Sequence, residues 1–457
     1  MYSIHTFLLQ KELFRSSEPV KTSVVSSFTD TPALQQIARQ ADSDYILFYT
    51  GTSPIELHPY AIGRMYQIAE SNDGALFYSD YQEIRQGKKI HHPTLEYQTG
   101  SIRNDFDFGQ LLLFRNDSFQ QVVAQMNTDY RFAALYELRL SISRLGKIVH
   151  IPETLYTVQP TDLRLSGEKQ FDYVDPANRE VQLEMEAVCT AHLQAIGAWL
   201  APEFQRIDFG QENFAREASV IIPVRNRKRT IAEAVESALQ QQTDFSFNVI
   251  VVDNHSTDST GQILTELSRR YPNLIHHIPA STELGIGGCW TEAILLPECG
   301  KFAIQLDSDD LYKDCHVLQR IVDTFYQENC AMVIGSYQMV DFKLEEIPPG
   351  LIAHREWTPD NGRNNALRIN GLGAPRAFYT PVLRQIKFPN VSYGEDYATA
   401  LAISRKYPIA RIYDPLYLCR RWEENSDHDL DIQQLNNYNF YKDKIRTLEI
   451  QARISGK

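Results

Sequence analysis

Lys301-Phe-Ala-Ile-Gln-Leu-Asp-Ser-Asp-Asp310 decides the fold: an apolar run that ends abruptly in acid. Read as a strand, it delivers Asp307 and Asp309 at its tip, two hard oxygen donors separated by one residue. Such donors suit a divalent cation, Mn2+ or Mg2+, that bridges a diphosphate and keeps positions for phosphate and water. An aspartate cluster alone reads equally well as a solvated turn, so the flanking sequence has to decide.

Upstream, Ala218-Ser-Val-Ile-Ile-Pro-Val-Arg-Asn-Arg227 reads as a β-branched strand stopped by Pro223, which lacks a backbone donor. Thr230-Ile-Ala-Glu233 has the form of a capping box, followed by Ile231, Val235, Ala238 and Leu239 at helical spacing. Asn248-Val-Ile-Val-Val-Asp-Asn254 is a second buried strand with a polar tip. The next helix opens at His255–Thr260 and carries Ile263, Leu264 and Leu267 on one face. Two strand–helix units with polar residues at the carboxyl ends of the strands describe half of a nucleotide-binding α/β sheet.

Five ordered pieces carry a family resemblance: Ser219-Val-Ile-Ile-Pro-Val-Arg-Asn226, Val251-Val-Asp-Asn-His-Ser-Thr-Asp258, Glu283-Leu-Gly-Ile-Gly-Gly288, Gln305-Leu-Asp-Ser-Asp-Asp310 and Gly394-Glu-Asp396. Together, over about 180 residues within 217–425, they resemble the inverting glycosyltransferases of family 2. The resemblance implies an α/β GT-A fold and a nucleotide-diphosphate sugar donor, with a UDP-sugar expected. It places the nucleotide at Pro223, Arg225, Asp253, Asn254, Gly285 and Asp307, with Asp253 able to accept the imide N–H of uracil. It makes Asp309 the metal ligand, Asp307 its neighbour nearer the ribose, Asp396 the catalytic base and Glu395 that base's companion. A base is needed because an acceptor hydroxyl has a very high pKa, and general-base assistance contributes about 10²–10⁴-fold. One base without a covalent intermediate means a single displacement and inversion. Without the resemblance, Glu395-Asp396 would read as acids compensating a helix dipole.

One stretch departs from the family pattern. Gly287-Gly-Cys-Trp-Thr291 puts Trp290 and Thr291 where an arginine and an asparagine are usual, which removes a cation for the diphosphate. Either Arg420-Arg421 replaces it or donor binding is weaker. Cys289 reads as a small packing residue. Trp422, Arg420 and Arg421, with His428, are candidates to close over the diphosphate or acceptor, His428 also as a third metal ligand. Trp357, in the polar segment 341–370 where acceptor loops fall, is either a sugar-stacking platform or a loop anchor.

The first half repeats the second. Asp44–Thr52 lies over Lys301–Asp309 at an offset of 257, and Gly74–Gln82 over Cys330–Gln338 at 256. Leu138–Arg144 lies over Thr399–Arg405, and Leu155-Tyr156 over Leu416-Tyr417, both at 261. The expectation is two tandem GT-A-like domains, the first truncated and degenerate. Thr50-Gly51-Thr52 replaces the metal motif and Ala134-Leu135 the base. About 43 residues precede the first of these strands, which leaves no room for the base-binding strand–helix unit. Packing, homodimerisation or holding an acceptor glycan remain open as its uses. The boundaries read as a first domain over 1–200, a linker over 201–216, the catalytic domain over 217–428 and an amphipathic helix over 429–457.

The 43% hydrophobic content suffices for two cores, and a net charge of −13 argues against nucleic acid as a partner. The basic run Arg225, Arg227, Lys228 and Arg229 is either a diphosphate or lipid-carrier patch or a solvated loop. No apolar stretch approaches a membrane span, the N-terminus lacks signal-peptide features, and six unpaired-looking cysteines suit a reducing compartment. A cytoplasmic protein, with room for contact at the inner membrane face, is therefore expected. Two other readings stand beside the enzyme: a nucleotidyltransferase, disfavoured because Pro223–Arg227 holds no glycine, and an inactive glycan- or nucleotide-binding scaffold, favoured by Trp290.

Overall fold

A computed structural model describes residues 2–159, 178–210, 213–422 and 430–456. The chain divides into two compact units, one formed by residues 1–199, 367–369 and 430–457, the other by 200–366 and 370–429. The first unit holds strands β1 (Ile4–Leu8), β2 (Phe14–Arg15), β3 (Lys21–Val24), β4 (Tyr45–Tyr49), β5 (Ile55–Leu57), β6 (Gly74–Arg85), β7 (Lys88–His92), β8 (Leu111–Arg115) and β9 (Lys147–Val158). Its helices are α1 (Thr31–Gln40), α2 (Ala61–Glu70), α3 (Asn116–Val123), α4 (Ala134–Leu145) and α5 (Arg179–Ala195).

The second unit holds β10 (Ala218–Val224), β11 (Phe247–Asp253), β12 (Leu274–His277), β13 (Phe302–Gln305), β14 (Leu311–Tyr312), β15 (Met332–Val340), β16 (Glu346–Ile352), β17 (Arg376–Tyr379) and β18 (Ile409–Arg420). Its helices are α6 (Ile231–Leu239), α7 (Thr260–Arg270), α8 (Ile286–Leu295), α9 (Val317–Glu328), α10 (Gly362–Asn365), α11 (Thr380–Ile386) and α12 (Glu395–Ser404). A last helix, α13 (Ile432–Ile454), belongs to the first unit. Among the described residues no helix is long and apolar enough to cross a membrane.

Both sheets are mixed, and their topologies coincide. The second runs β12-β11-β10-β13-β17-β15-β18-β14; the first, read from its β3 edge, runs β3-β1-β4-β8-β6-β9-β5-β2. β4–β8 and β13–β17 are antiparallel, whereas β6–β9 and β15–β18 are parallel. Tyr81 pairs with Tyr156 in one sheet as Tyr337 pairs with Tyr417 in the other. The fold is therefore two tandem GT-A-type domains, and the repeat seen in the sequence is a repeat of strand order and register.

One expectation is corrected. The first unit does possess the leading strand of the motif: β1 lies parallel to β4, as β10 lies to β13, and β3 flanks it as β11 flanks β10. What it lacks is the crossover helix, replaced by a three-residue 3-10 turn, Lys11–Leu13, and the short β2. A parallel connection normally needs a dozen or more residues and usually a helix. Here the residues between β1 and β3 suffice without one, which is why counting residues failed. The first sheet also has no counterpart of β12.

In the second unit the consecutive, oppositely facing pairs Val220 and Ile221, Val249 and Ile250, and Ala303 and Ile304 are fully buried, so β10, β11 and β13 are covered on both faces. Thr230 stands at the N-cap of α6 but makes no capping hydrogen bond; Glu233, its expected partner in a capping box, pairs with Arg420 instead. Residues 201–216 were read as a linker, yet the described part lies on the second unit. Phe209 packs its ring against Phe302, Tyr326 and Tyr379, and Ile207 exchanges hydrogen bonds with Asn329. Helix α13 departs from its apolar reading. Leu448 is exposed, whereas the buried face carries Asp443, which accepts from Ser101, Arg103 and Arg446 at 2.9, 3.2 and 2.8 Å.

Candidate active site

The site is built where β10, β11 and β13 end and where β17 and α12 begin. At the tip of β11, Asp253 is buried and accepts from the backbone N–H of Ser256 at 2.9 Å; His276 lies 3.3 Å away. Burial alone would push this carboxyl up, but His276 and Ser256 leave it below its ordinary value. Asn254 donates through Nδ2 to the Leu284 carbonyl at 2.7 Å while its Oδ1 is buried without a partner. Gly285, at the start of α8, approaches Val391 so closely that a Cβ would meet the Val391 carbonyl carbon at 2.5 Å. Pro223 pairs with Val252, and Arg225 points out, exposed, with no partner among the described residues.

Beyond β13 three carboxylates crowd together. Burial, then the charges of its neighbours, raise Asp310 well above the carboxylate range; burial and Asp309 raise Asp307. The Tyr417 hydroxyl accepts from the Asp307 N–H at 2.8 Å, and Gln305 Nε2 donates to both Asp307 oxygens at 2.9 and 3.0 Å. The indole N–H of Trp422 donates to Asp309 at 3.1 Å, with the guanidinium groups of Arg227 and Arg229 lying 5.6 and 5.1 Å from the indole ring. This surplus of negative charge on hard oxygens fits a divalent cation. Among the described residues no group of three or more His, Cys, Asp or Glu gathers to hold one; Asp309 and Asp307 are the residues here that would hold it. His428 lies outside the described residues.

At the start of α12, Gly394 takes φ 78°, and the helix then presents Glu395 and Asp396. Asp396 forms an ion pair with Arg376 at the start of β17. Glu395 is buried, its Oε2 without a partner; burial, then the Asp396 charge, push it up to about 8, so it carries a proton at neutral pH. One carboxyl held neutral beside another in an ion pair is an arrangement that separates an acid from a base.

Several expected contacts do not form. Trp357 is buried, lying against Gly362 with Arg411 5.1 Å from its ring, and its carbonyl accepts from Tyr413. It anchors its loop and has no face open for a sugar. Arg420 is also buried: it pairs with Glu233, donates to the Asp309 carbonyl and offers its backbone N–H to Asp310. It braces the acidic turn from within and cannot replace the missing cation. Trp290 fills its space as core, packed on Phe378 and Phe388. Cys289 is buried with its thiol pushed up to about 11, which suits a packing residue. Arg421 donates its backbone N–H to Val340. Sequence reading missed Gln305, Arg376 and Tyr417. The available signals were a charged residue opening the apolar run Arg376–Tyr379 and the Tyr156–Tyr417 match.

Residues 219–386 match the family model described as Glycosyl transferase family 2. The second half of the chain thus carries a family 2 glycosyltransferase domain. Over 230 residues the chain is 25% identical to a poly(ribitol-phosphate) beta-glucosyltransferase of Bacillus spizizenii, spanning 49% of this chain and 35% of that one. It is 33% identical over 111 residues to the minor teichoic acid biosynthesis protein GgaA of Bacillus subtilis, spanning 23% and 24%. The chain thus covers only about a third or less of the length of these relatives. Among solved structures, S. aureus TarS 1-349 in complex with UDP-GlcNAc aligns at TM-score 0.40 and 23% identity, over 52% of this chain and 72% of that one.

Proposed function

We propose that this protein is a metal-dependent inverting glycosyltransferase. In this reading it moves a sugar from a nucleotide-diphosphate donor, with a UDP-sugar expected, to a glycan or lipid-linked acceptor of the polyol-phosphate kind. One observation carries the reading: Asp396, at the head of α12, is linked through Arg376 and Gln305 to Asp307, so a base and a donor-binding acid share one hydrogen-bonded frame. The acceptor class draws on the relatives named for poly(ribitol-phosphate) and teichoic acid.

In the reaction Asp396 takes the acceptor proton as the acceptor oxygen attacks the anomeric carbon from the face opposite the diphosphate. Asp253 holds the base, Asn254 and Gly285 line the nucleotide cleft, and Asp307 and Asp309 hold the cation. When bound, that cation neutralises charge developing on the leaving diphosphate. Trp422, touching Asp309, borders the donor and is the remaining aromatic candidate for acceptor contact. The first unit has Thr50–Thr52 and Ala134-Leu135 in place of these groups, so in this reading it does no chemistry and serves for packing, for pairing two copies or for holding acceptor. A lipid-linked acceptor would bring the chain to the cytoplasmic membrane face.

The test is to incubate the protein with a panel of nucleotide sugars and poly(ribitol phosphate), with Mn2+ or with chelator. Metal-dependent release of UDP, with the transferred sugar inverted, is expected. Nucleotide-sugar binding without transfer or hydrolysis for any donor would favour the inactive scaffold instead.

A further inference from the structure

Beside the Trp290 packing, β17 carries a cation that holds the site's carboxylates. Trp290 packs on Phe378 of β17, and Arg376 stands two residues earlier on the same face of that strand. Its guanidinium is shared out with little freedom. Nη1 pairs with Asp396, while Nε and the Arg376 backbone N–H both donate to Gln305 Oε1, at 3.0 and 3.1 Å. Gln305 then gives its amide hydrogens to the two oxygens of Asp307. No protein hydrogen bond to Nη2 occurs among the described residues. A planar fork can hold partners on two elements at fixed angles; an ammonium, which is a point charge, cannot.

Resting on the glycosyltransferase reading, we propose that Arg376 is a positioning residue for transfer. It clamps Asp396 in one orientation and ties that base to the Asp307 strand tip. The groups around it make the consequence definite. Arg376 faces Asp396 and Glu395 from α12, Asp307 from beyond β13 and Tyr417 from β18. Removing the guanidinium leaves three carboxyl groups facing one another without a counter-charge. The base then both loses its aim and takes up protons more readily.

The experiment compares full-length wild type, Arg376→Gln and Arg376→Lys. It reads kcat and KM for donor hydrolysis or transfer, the pH profile, and the 13C carboxyl titration of Asp396, whose signal is assigned by its loss in Asp396→Asn. Arg376→Gln should lower kcat about 10²-fold, as for a misplaced catalytic group. Donor affinity should stay within about threefold, and the acidic limb and the Asp396 midpoint should both rise by about one pH unit. Arg376→Lys should bring the limb back towards wild type yet leave kcat at least about tenfold down, because the fork is lost. A kcat for Arg376→Gln within about threefold of wild type overturns the proposal. So does a fall in kcat with the limb and the midpoint both unmoved, which is the mark of a merely structural role. Should wild type show neither transfer nor hydrolysis, the enzyme reading fails by itself, and the Asp396 titration alone then decides the positioning claim.

Discussion

Replacing Asp396 by asparagine keeps the shape of the side chain and removes its basicity. Transfer should fall by about 10²–10⁴-fold with nucleotide affinity unchanged, measured by kinetics beside calorimetry. At Asp309 the expectation is the reverse: Asp309→Ala should abolish the gain in UDP affinity that Mn2+ brings, read by titration with and without the ion. Glu395 provides a stability test. Its carboxyl is raised in the folded state from 4.5 to about 8, so its contribution is fully present below pH 4.5 and is lost as pH rises through 8. The melting temperature of wild type should therefore fall relative to Glu395→Gln between about pH 5 and 8, with a slope no steeper than about 1.4 kcal/mol per pH unit. Asp307, Asp309 and Asp396 were picked out by their place in an ordered set of motifs that resembles a known family, since an aspartate cluster or a pair of acids at a helix start reads as a solvated turn or a dipole partner by itself. Arg376 could not be, since a charged residue opening a short strand reads as surface until the antiparallel partner puts Gln305 beside it. Trp357 misled for a related reason. An aromatic in a polar segment looks exposed, and only packing reveals a ring buried under Arg411.

At the scale of elements, the proposed reading puts the donor at the strand tips and the base at the start of α12. That helix depends on Gly394 at φ 78°, a left-handed conformation that costs a side-chain-bearing residue about 1–2 kcal/mol. Gly394→Ala should destabilise the fold by about that amount in urea melts and also depress transfer, because the turn aims both Glu395 and Asp396. The strands were plain in the sequence because runs buried on both faces are continuous and β-branched. The caps were less plain: Thr230 and Glu233 have the letters of a capping box, but the Glu233 carboxylate pairs with the buried Arg420 instead. Helix α13 was legible as a helix and its buried side only in part: Ile445 and Ile450 are buried, but the ion cluster around Asp443 shares that face and Leu448 is exposed. Asp443→Leu would take the shared carboxylate from Arg446 and Ser101 and leave Arg103 with Asp105 alone. Chemical denaturation should then show the first unit losing about 3–5 kcal/mol.

For the whole molecule, the repeat is the dominant fact, and it was legible because near-constant offsets survive the loss of every catalytic residue. Full-length protein should bind UDP at one site per chain by calorimetry; a second site would mean that the first unit still holds nucleotide. The order of units along the chain was not legible, because residues 430–457 return to the first unit after the whole of the second has passed. This has a consequence during synthesis. Domains generally fold as units and in order of emergence. Here the first sheet can close an apolar core drawn from Ile4 to Val158 early, but Gly100, Ser101 and Arg103 lack their partners Thr447 and Asp443 until α13 has been made. The surface around Gly100–Arg103 would be the part of the nascent first unit left uncovered longest.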